Sequence, residues 1–166
     1  HKLLKEVKHN IELNSNIIDY LLFIQLKTGL RFGEVLGLTW DCVLNETQEV
    51  KTYRRYDPRK KEWRPPKTAT SIRTIPIDSE TLHFLNQLKE IQSRDIEQTN
   101  IKNKENHIFF DLYTVVPSNH EVNKRLREYL KKLKLNPMDL SATGIRHTYA
   151  SIMLGYGIDI WVIASN

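Results

Sequence analysis

The sequence has only one cysteine, Cys42, and lacks any long apolar run. A single cysteine cannot form an internal disulfide and cannot by itself build a zinc site. No apolar stretch approaches the roughly 20 residues that a membrane helix requires, which argues against a membrane-spanning role. The first residues, HKLLKEVKHN, have neither the apolar core nor the cleavage site of a signal peptide. These absences fit a protein of the reducing cytoplasm.

The chain also lacks internal repeats, low-complexity linkers and an initiating methionine. Its 166 residues are enough for one ordinary domain with a core of its own. Hydrophobic residues make up 40% of the chain and charged residues 27%, which is typical of a globular protein. Because no methionine begins the sequence, we expect it to be a piece of a longer protein.

Positive charge is concentrated in two segments. Residues 51–73 hold nine Lys or Arg against two acids, a local charge of +7, so the rest of the +5 chain sums to −2 (5 − 7). Residues 124–134 hold six bases and one acid. Tyr53, Tyr56 and Trp63 are interleaved with the first group of bases, which favours a surface that follows a phosphate backbone. A solvated loop and a solvated helix face would also explain this charge, and for residues 124–134 the two explanations stand equal.

Hydrophobic spacing predicts a mainly α-helical fold. Residues 15–28 carry apolar side chains on all sides, which indicates a central helix. Either Ser15 or Asn16 could cap its start, and Gly29 could end it. Residues 31–38 are expected to form a second, short helix.

Two strand-like runs indicate a small antiparallel sheet. Residues 49–57, EVKTYRRYD, are rich in β-formers, and residues 71–77, SIRTIPI, alternate as a strand does. The prolines and charges between them suit turns around a short middle strand. We therefore expect one three-stranded antiparallel sheet over residues 49–77, too small to have a core of its own.

Three further helices are expected after the sheet. The first begins at a cap formed by Asp78 or Ser79 and carries leucines at helical spacing. The second is an amphipathic basic helix over residues 120–135. The third ends near residues 155–157, and another helix begins at about residue 158. The inward positions of the basic helix are Val122, Leu126, Leu130 and Leu133.

An arginine and a glutamate interrupt the otherwise apolar segment TGLRFGEVLGL at residues 28–38. Charges in such a segment are costly unless they have partners. Arg31 and Glu34 are three residues apart, so they could form an ion pair on one face of a helix. Alternatively, Arg31 points toward an anion. This segment alone leaves both interpretations open.

Two further cations stand in separate predicted elements. Lys67, in PPKTATSIRTIPI, is expected at the turn between two strands of the basic hairpin, and Arg146, in TGIRHTYAS, is expected on a helix near the C-terminus. Together with Arg31 they are the groups that a scissile phosphodiester would need. Planar guanidinium groups can hold the non-bridging oxygens at two points, and a lysine can donate a proton to the departing 5′ oxygen. Each has a structural alternative, since Lys67 could be a solvated cation and Arg146 could cap a helix or pair with an acid.

These segments resemble, in order and over the whole chain, the catalytic domain of the tyrosine recombinase family, the phage-type integrases. TGLRFGEVLGLTW resembles the first arginine box, KTATSIRTIPI the β-hairpin lysine motif, and TGIRHTYASIMLGYGIDIWVIASN the box that normally reads His-x-x-Arg-His-Thr. The resemblance implies the fold of DNA breaking-rejoining enzymes. It also implies their reaction, in which a tyrosine attacks DNA, forms a 3′-phosphotyrosyl link and frees a 5′-hydroxyl, with no metal or nucleotide cofactor.

The resemblance also implies roles for individual residues. Arg31 and Arg146 would hold the phosphate, Lys67 would protonate the leaving oxygen, and Glu34 would support the arginine cluster. The expected partner is double-stranded DNA bearing a recombination site, on which the full-length protein self-associates in the cytoplasm of a bacterium. The further basic residues that we expect to contact DNA are Arg54, Arg55, Lys60, Lys61, Arg64, Arg73, Lys124 and Arg125.

The sequence departs from the family's pattern at the usual histidine position, which is occupied by Thr143. A threonine hydroxyl can donate to a phosphate oxygen but cannot exchange protons near neutral pH as imidazole can. If one helix runs through this segment, His147 lies one turn further along the same face. We hypothesise that His147 compensates in part.

The second departure is that the sequence ends at IASN, before the family's Leu-Gly-His stretch and nucleophilic tyrosine. Tyr149 and Tyr156 are expected to be core or turn residues instead. We therefore expect residues 1–166 to be a single catalytic domain that is truncated at its C-terminus, lacks the family's N-terminal core-binding domain and does not cleave DNA by itself.

Two other functions remain open from the sequence. One is a DNA-binding or regulatory relative of the same fold that has lost its chemistry, which Thr143 would permit. The other is an unrelated basic helical protein, such as a helix-turn-helix regulator. Lys67 argues against the second, because such regulators need no lysine next to a strand.

Overall fold

The computed structural model describes residues 2–14, 16–113 and 115–155, with side chains up to residue 150. The described residues form six helices: α1 (Lys2–Asn14), α2 (Ile17–Thr28), α3 (Phe32–Leu36), α4 (Ser79–Thr99), α5 (Asn119–Leu133) and α6 (Ile145–Gly155). They also form five short strands: β1 (Val43–Leu44), β2 (Glu49–Thr52), β3 (Arg55–Asp57), β4 (Glu62–Arg64) and β5 (Arg73–Pro76). The mainly α fold with a small antiparallel sheet is thus confirmed. None of the described helices is both long and apolar enough to cross a membrane.

Helix α2 lies at the centre of the fold, in contact with α1, α3, α4, α5 and α6. Its side chains are buried on nearly all sides, because apolar residues occupy its whole circumference. The Asn16 side chain caps its start by accepting a hydrogen bond from the Ile18 N–H at 2.9 Å. Gly29 ends it in the left-handed conformation, with φ +64°, and its N–H donates to the Gln25 carbonyl. These two ends confirm the predicted central helix, while Ser15 lies outside the described residues.

Helix α1 was missed by the sequence analysis. Its Val7 and Ile11 are fully buried, and Leu3 and Leu4 pack against the same core. These four positions follow the spacing of three and four residues that marks one face of a helix, and this is the signal that could have predicted it. The face packs on α2 and α5.

The sheet differs from the prediction in which strands it joins. Strands β1, β2 and β5 form one antiparallel sheet, with Val50 of β2 opposite both Val43 and Ile75. Strands β3 and β4 form a separate hairpin, in which Tyr56 faces Trp63. The predicted single strand over residues 49–57 is therefore wrong, because it divides into β2 and β3.

Gly37 allows the chain to turn away from the first sheet between β2 and β3. A methyl group at Gly37 would lie 2.8 Å from the Arg54 carbonyl oxygen and from the Arg55 Cα. The backbone of residues 54–55 thus crosses directly over the end of α3, which takes the chain out of the first sheet and starts the hairpin.

The β3–β4 hairpin is attached to the core by an aromatic cluster. The Trp63 ring stacks on the ring of His107 with centroids 4.8 Å apart, and the Tyr56 ring meets both of them edge to face. His107 is fully buried, and this burial lowers its pKa despite the nearby carboxylate of Glu105.

Helices α4 and α5 agree closely with the prediction. The Asp78 carboxylate caps α4 by accepting from the Thr81 N–H at 2.9 Å. Ser118 and Glu121 form a capping box at the start of α5. Three of the four predicted inward positions of α5 are buried and Leu133 is half-buried.

A buried ion pair joins α5 to the central helix. The fully buried Asp19 carboxylate on α2 accepts from Arg125 Nε at 2.8 Å and Nη2 at 2.7 Å, and from the Tyr129 hydroxyl at 2.7 Å. This two-point contact is the strong geometry for an arginine and a carboxylate. It fixes α5, whose outer face carries the second basic segment.

Candidate functional site

Glu34 is the centre of a charged cluster at the start of α3. Its buried carboxylate accepts from the Arg31 backbone N–H at 3.0 Å and from Arg31 Nη1 at 2.8 Å. It also accepts from Arg73 Nη2 at 3.3 Å. The ion pair between Arg31 and Glu34 that the sequence allowed is therefore present. The Arg31 side chain nevertheless remains 40% exposed, so the same guanidinium group also reaches solvent.

Ser71 connects this cluster to the segment that carries Lys67. Its side chain is buried, its Oγ accepts from Arg31 Nη1 at 3.3 Å, and it lies 3.0 Å from the Thr68 Oγ1. Lys67 is exposed and directly precedes Thr68. It lies in the connection from β4 to β5 and not in the turn of the hairpin, which spans residues 58–61. The side chain of Thr68, the residue after Lys67, is thereby connected to Arg31 through Ser71.

Arg146 reaches the cluster from α6. Its Nη1 donates to the Gly29 carbonyl at 3.1 Å, two residues before Arg31. The ring of Tyr149 packs against Gly29, where a methyl group would lie only 2.4 Å from Cδ1 of that ring. Burial raises the pKa of Tyr149, as expected of a packing residue. Tyr156 lies outside the described residues.

The electrostatics indicate that these groups form one site. Burial lowers the pKa of Arg146, and the positive charges of Arg31 and Arg73 lower it further, while the Glu34 carboxylate opposes them. Burial alone would raise the pKa of Glu34, but the hydrogen bonds from Arg31 and the charges of both arginines more than offset it and leave that pKa lowered. Three guanidinium groups against one carboxylate leave an excess of positive charge, which suits an anion.

The proposed compensation of Thr143 by His147 assumed one continuous helix, and that assumption is wrong. Helix α6 begins at Ile145, and Thr143 is an exposed residue of the turn before it. The Ser141 side chain accepts from the Gly144 N–H in this turn. His147 is exposed on the first turn of α6. Its catalytic role stays a prediction, but Thr143 and His147 do not lie on one helix face.

An open groove of about 500 Å³ lies between the hairpin, α3 and the start of α5. We name it the hairpin groove. The basic residues that line it are Arg55, Arg59, Lys60 and Arg64. A neighbouring groove of about 410 Å³ shares Arg59 and continues past His120 to Arg127 on α5. The two grooves together form a positively charged path on the surface.

Four of the predicted DNA-binding residues, Arg55, Lys60, Lys61 and Arg64, lie on the β3–β4 hairpin, and all of them except Lys61 line the hairpin groove. Lys60 and Lys61 are exposed in the turn of the hairpin. Arg55 Nε donates to the Pro65 carbonyl at 3.0 Å, and Arg64 Nη2 lies 2.5 Å from a Glu62 carboxylate oxygen. Lys124 is exposed on α5.

The other three predicted DNA-binding residues have internal partners. Arg54 donates to the Thr39 hydroxyl at 3.1 Å and lies over the Trp63 ring at 3.8 Å. Arg73 is part of the Glu34 cluster, and Arg125 belongs to the buried ion pair with α2. Each of the three therefore has a structural role whether or not DNA is bound.

Several residues of this site were not predicted from the sequence. Ser71 and Gly29 contact the arginine cluster, and both lie within the quoted motifs, but neither was expected to have a part in it. Arg59 and Arg127 line the two grooves, but they were counted only within the two basic segments. Among the described residues, no three His, Cys, Asp or Glu side chains are grouped so that they could hold a metal ion.

Comparison with known sequences supports one family. The sequence profile of the phage integrase family matches residues 1–165. The ICEBs1 integrase of Bacillus subtilis (strain 168) is 29% identical in a gapped alignment of 150 positions that covers 85% of this chain and 40% of that protein. A XerC-like tyrosine recombinase of Caldanaerobacter subterraneus subsp. tengcongensis is 26% identical in a gapped alignment of 180 positions that covers 97% of this chain and 44% of that protein. The chain thus spans less than half the length of these two curated relatives.

Comparison with solved structures supports the same fold. The Tn1549 transposon integrase in complex with circular intermediate DNA has a TM-score of 0.68 and 18% identity, covering 87% of this chain and 49% of that one. The XerA recombinase has a TM-score of 0.69 and 16% identity, covering 98% of this chain and 52% of that one.

Proposed function

Because this chain belongs to the phage integrase family, we propose that it is the catalytic part of a site-specific DNA recombinase encoded by a phage or another mobile element. Its substrate is double-stranded DNA with a recombination site, and its place of action is the bacterial cytoplasm, where that DNA lies. The observation that carries the proposal is the cluster in which Arg31 and Arg73 pair with Glu34 while Arg146 donates to the Gly29 carbonyl, two residues before Arg31.

The cluster suits the transition state of phosphoryl transfer. Attack on phosphorus increases the negative charge on the non-bridging oxygens, and guanidinium groups that are already in place stabilise it without reorganisation. Arg31 is half-exposed and Arg146 half-buried beside it, so both can face one phosphate. Arg73 is 10% exposed and pairs with Glu34, so it supports Arg31 through the shared carboxylate instead of contacting DNA.

The reaction proceeds as a transesterification. A tyrosine hydroxyl gives its proton to water and its oxygen bonds to the phosphorus, the bond from the phosphorus to the 5′ oxygen breaks, and a 3′-phosphotyrosyl link forms. Lys67 gives its proton to the departing 5′ oxygen, which leaves as a hydroxyl and later attacks the link on a second strand. Tyr149 does not fit the role of nucleophile, because it packs against Gly29 and burial raises its pKa.

The hairpin groove and the exposed face of α5 suit the flanking DNA. Both present cations that neutralise phosphates without reading sequence. We propose Lys60, Lys61 and Lys124 as backbone contacts, together with Arg55 and Arg64 in the groove. The whole protein self-associates on this DNA, since recombination needs two strand ends held together.

Replacement of the leaving oxygen by sulfur tests the role of Lys67. In the whole protein, we expect Lys67→Ala to slow cleavage of an ordinary duplex by about 100-fold or more, the usual contribution of a general acid. A duplex with a 5′-bridging sulfur at the cleavage position releases a thiolate, which needs no proton. This substrate should restore the rate of Lys67→Ala.

Arg31→Ala is the matched control for that experiment. Loss of a phosphate contact should cost about 100-fold on both substrates, because sulfur in the leaving group does not replace the guanidinium. If neither substrate is cleaved by the wild-type protein although it binds DNA, the chain is instead a DNA-binding relative without chemistry. If sulfur rescues both variants equally, Lys67 is not the proton donor.

A further inference from the structure

Gln25 is a fully buried polar side chain near the end of α2. Its amide nitrogen donates to the Leu30 carbonyl at 3.2 Å and to the Ala142 carbonyl at 2.7 Å. Because both partners are carbonyl groups, the nitrogen and not the oxygen of the amide must face them. One side chain therefore uses both of its N–H groups to join two distant parts of the chain.

The two carbonyls that Gln25 joins belong to the segments of the two phosphate-binding arginines. Leu30 directly precedes Arg31, and Ala142 lies in the turn that leads into α6 and Arg146. Arg146 also donates to the Gly29 carbonyl, so the two segments meet a second time beside the same helix end. An amide that fixes both backbones also fixes the spacing of the two guanidinium groups.

We infer that Gln25 is a positioning residue for DNA cleavage, which rests on the proposed function. It is buried and acts through the backbones next to Arg31 and Arg146. A misplacement of about 1 Å between groups that share one reacting phosphate can reduce the rate by about 100-fold. Loss of the Gln25 amide therefore slows the chemical step, while the exposed cations that bind DNA keep their positions.

Gln92 on α4 is a matched control within the same protein. It is also a buried glutamine, its Nε2 donates to the Ile108 carbonyl at 2.5 Å, and its Oε1 accepts from Trp40 Nε1 at 3.0 Å. It thus joins separate segments in the same way, but neither of its partners belongs to the arginine cluster. Gln92→Met and Gln25→Met make the same chemical change at two places.

The test measures three quantities for each variant of the whole protein: the thermal midpoint, the Kd for DNA and the single-turnover cleavage rate at saturating DNA. Both variants should lower the midpoint. Gln25→Met should reduce the cleavage rate about tenfold or more with its Kd within about twofold of wild type, whereas Gln92→Met should leave the rate within about twofold. If Gln25→Met does not fold, Gln25→Asn retains the amide but is too short to span both carbonyls.

Two results would overturn the inference. Equal cleavage rates for the Gln25 and Gln92 variants would show that the amide only stabilises the fold. If Gln25→Met lowers the cleavage rate and the affinity for DNA by the same factor, Gln25 does not act on the chemical step. These outcomes are separate from a failure of the proposed function, in which the wild-type protein itself forms no covalent adduct.

Discussion

Substitution of Glu34 by glutamine removes the carboxylate that Arg31 and Arg73 share, while keeping the shape of the side chain. We expect it to destabilise the protein, since Arg73 is 10% exposed and would lose its carboxylate partner. At 3.3 Å and an effective dielectric constant of about 20, the attraction between these two groups is about 5 kcal/mol before desolvation is subtracted. Measured losses for one partner of a buried pair are about 3–5 kcal/mol.

We take about 3 kcal/mol as the expected loss, because the amide oxygen of glutamine can still accept one hydrogen bond. For a chain of this length, that loss lowers the thermal midpoint by roughly 6–12 °C. The measurement is thermal or urea unfolding followed by circular dichroism. Glu62→Gln is the control, since it removes the carboxylate of an exposed pair with Arg64 and should cost less than about 1 kcal/mol.

The effect of Glu34→Gln should also depend on pH. The folded protein holds the pKa of Glu34 below its ordinary value of 4.5. Its stabilisation is therefore complete above pH 4.5 and is lost as the pH falls through the lower, folded pKa. The difference between wild type and Glu34→Gln should shrink over that acidic range. Equal losses from Glu34→Gln and Glu62→Gln at neutral pH would refute the buried cluster.

Three further substitutions test other parts of the structure by denaturant unfolding. Gly29→Ala should lower the free energy of unfolding by more than about 1–2 kcal/mol, because φ is +64° and the new methyl group meets the ring of Tyr149. Gly33→Ala is the control and should be tolerated, because a methyl group added there would have its nearest neighbour at 3.5 Å. Asp19→Ala should cost about 3–5 kcal/mol, since it leaves a guanidinium without its buried partner. Burial lowers the pKa of His107 from 6.5, so the stability of the wild type should fall as the pH drops below 6.5, and His107→Gln should remove that part of the dependence.

Local patterns were sufficient to predict helices α2, α4 and α5. The apolar circumference of α2 and the glycine after it are properties of adjacent residues, and so are the caps of α4 and α5. The path of the strands was not predictable in this way. The split between β2 and β3 depends on a contact between residues 54–55 and Gly37, and these two parts of the chain are distant in sequence.

The motifs located the arginines but not what holds them. Arg31 and Arg146 stand in recognisable boxes, whereas Arg73 resembles any other cation of the basic segment until its contact with Glu34 is seen. Gln25 carries no signal at all, because a glutamine in an apolar helix does not reveal which carbonyls it meets. Long-range hydrogen bonds of this kind need the fold before they can be assigned.

We propose that this chain belongs to an enzyme that cuts DNA through a tyrosine. The most direct measurement incubates the whole protein with an end-labelled duplex from its element and analyses the products after denaturation. We expect a covalent protein–DNA adduct through a 3′-phosphotyrosyl link and a free 5′-hydroxyl end, with the adduct strongly reduced in Arg146→Ala. Binding of the duplex without any adduct, or an adduct on a 5′-phosphate, would contradict it.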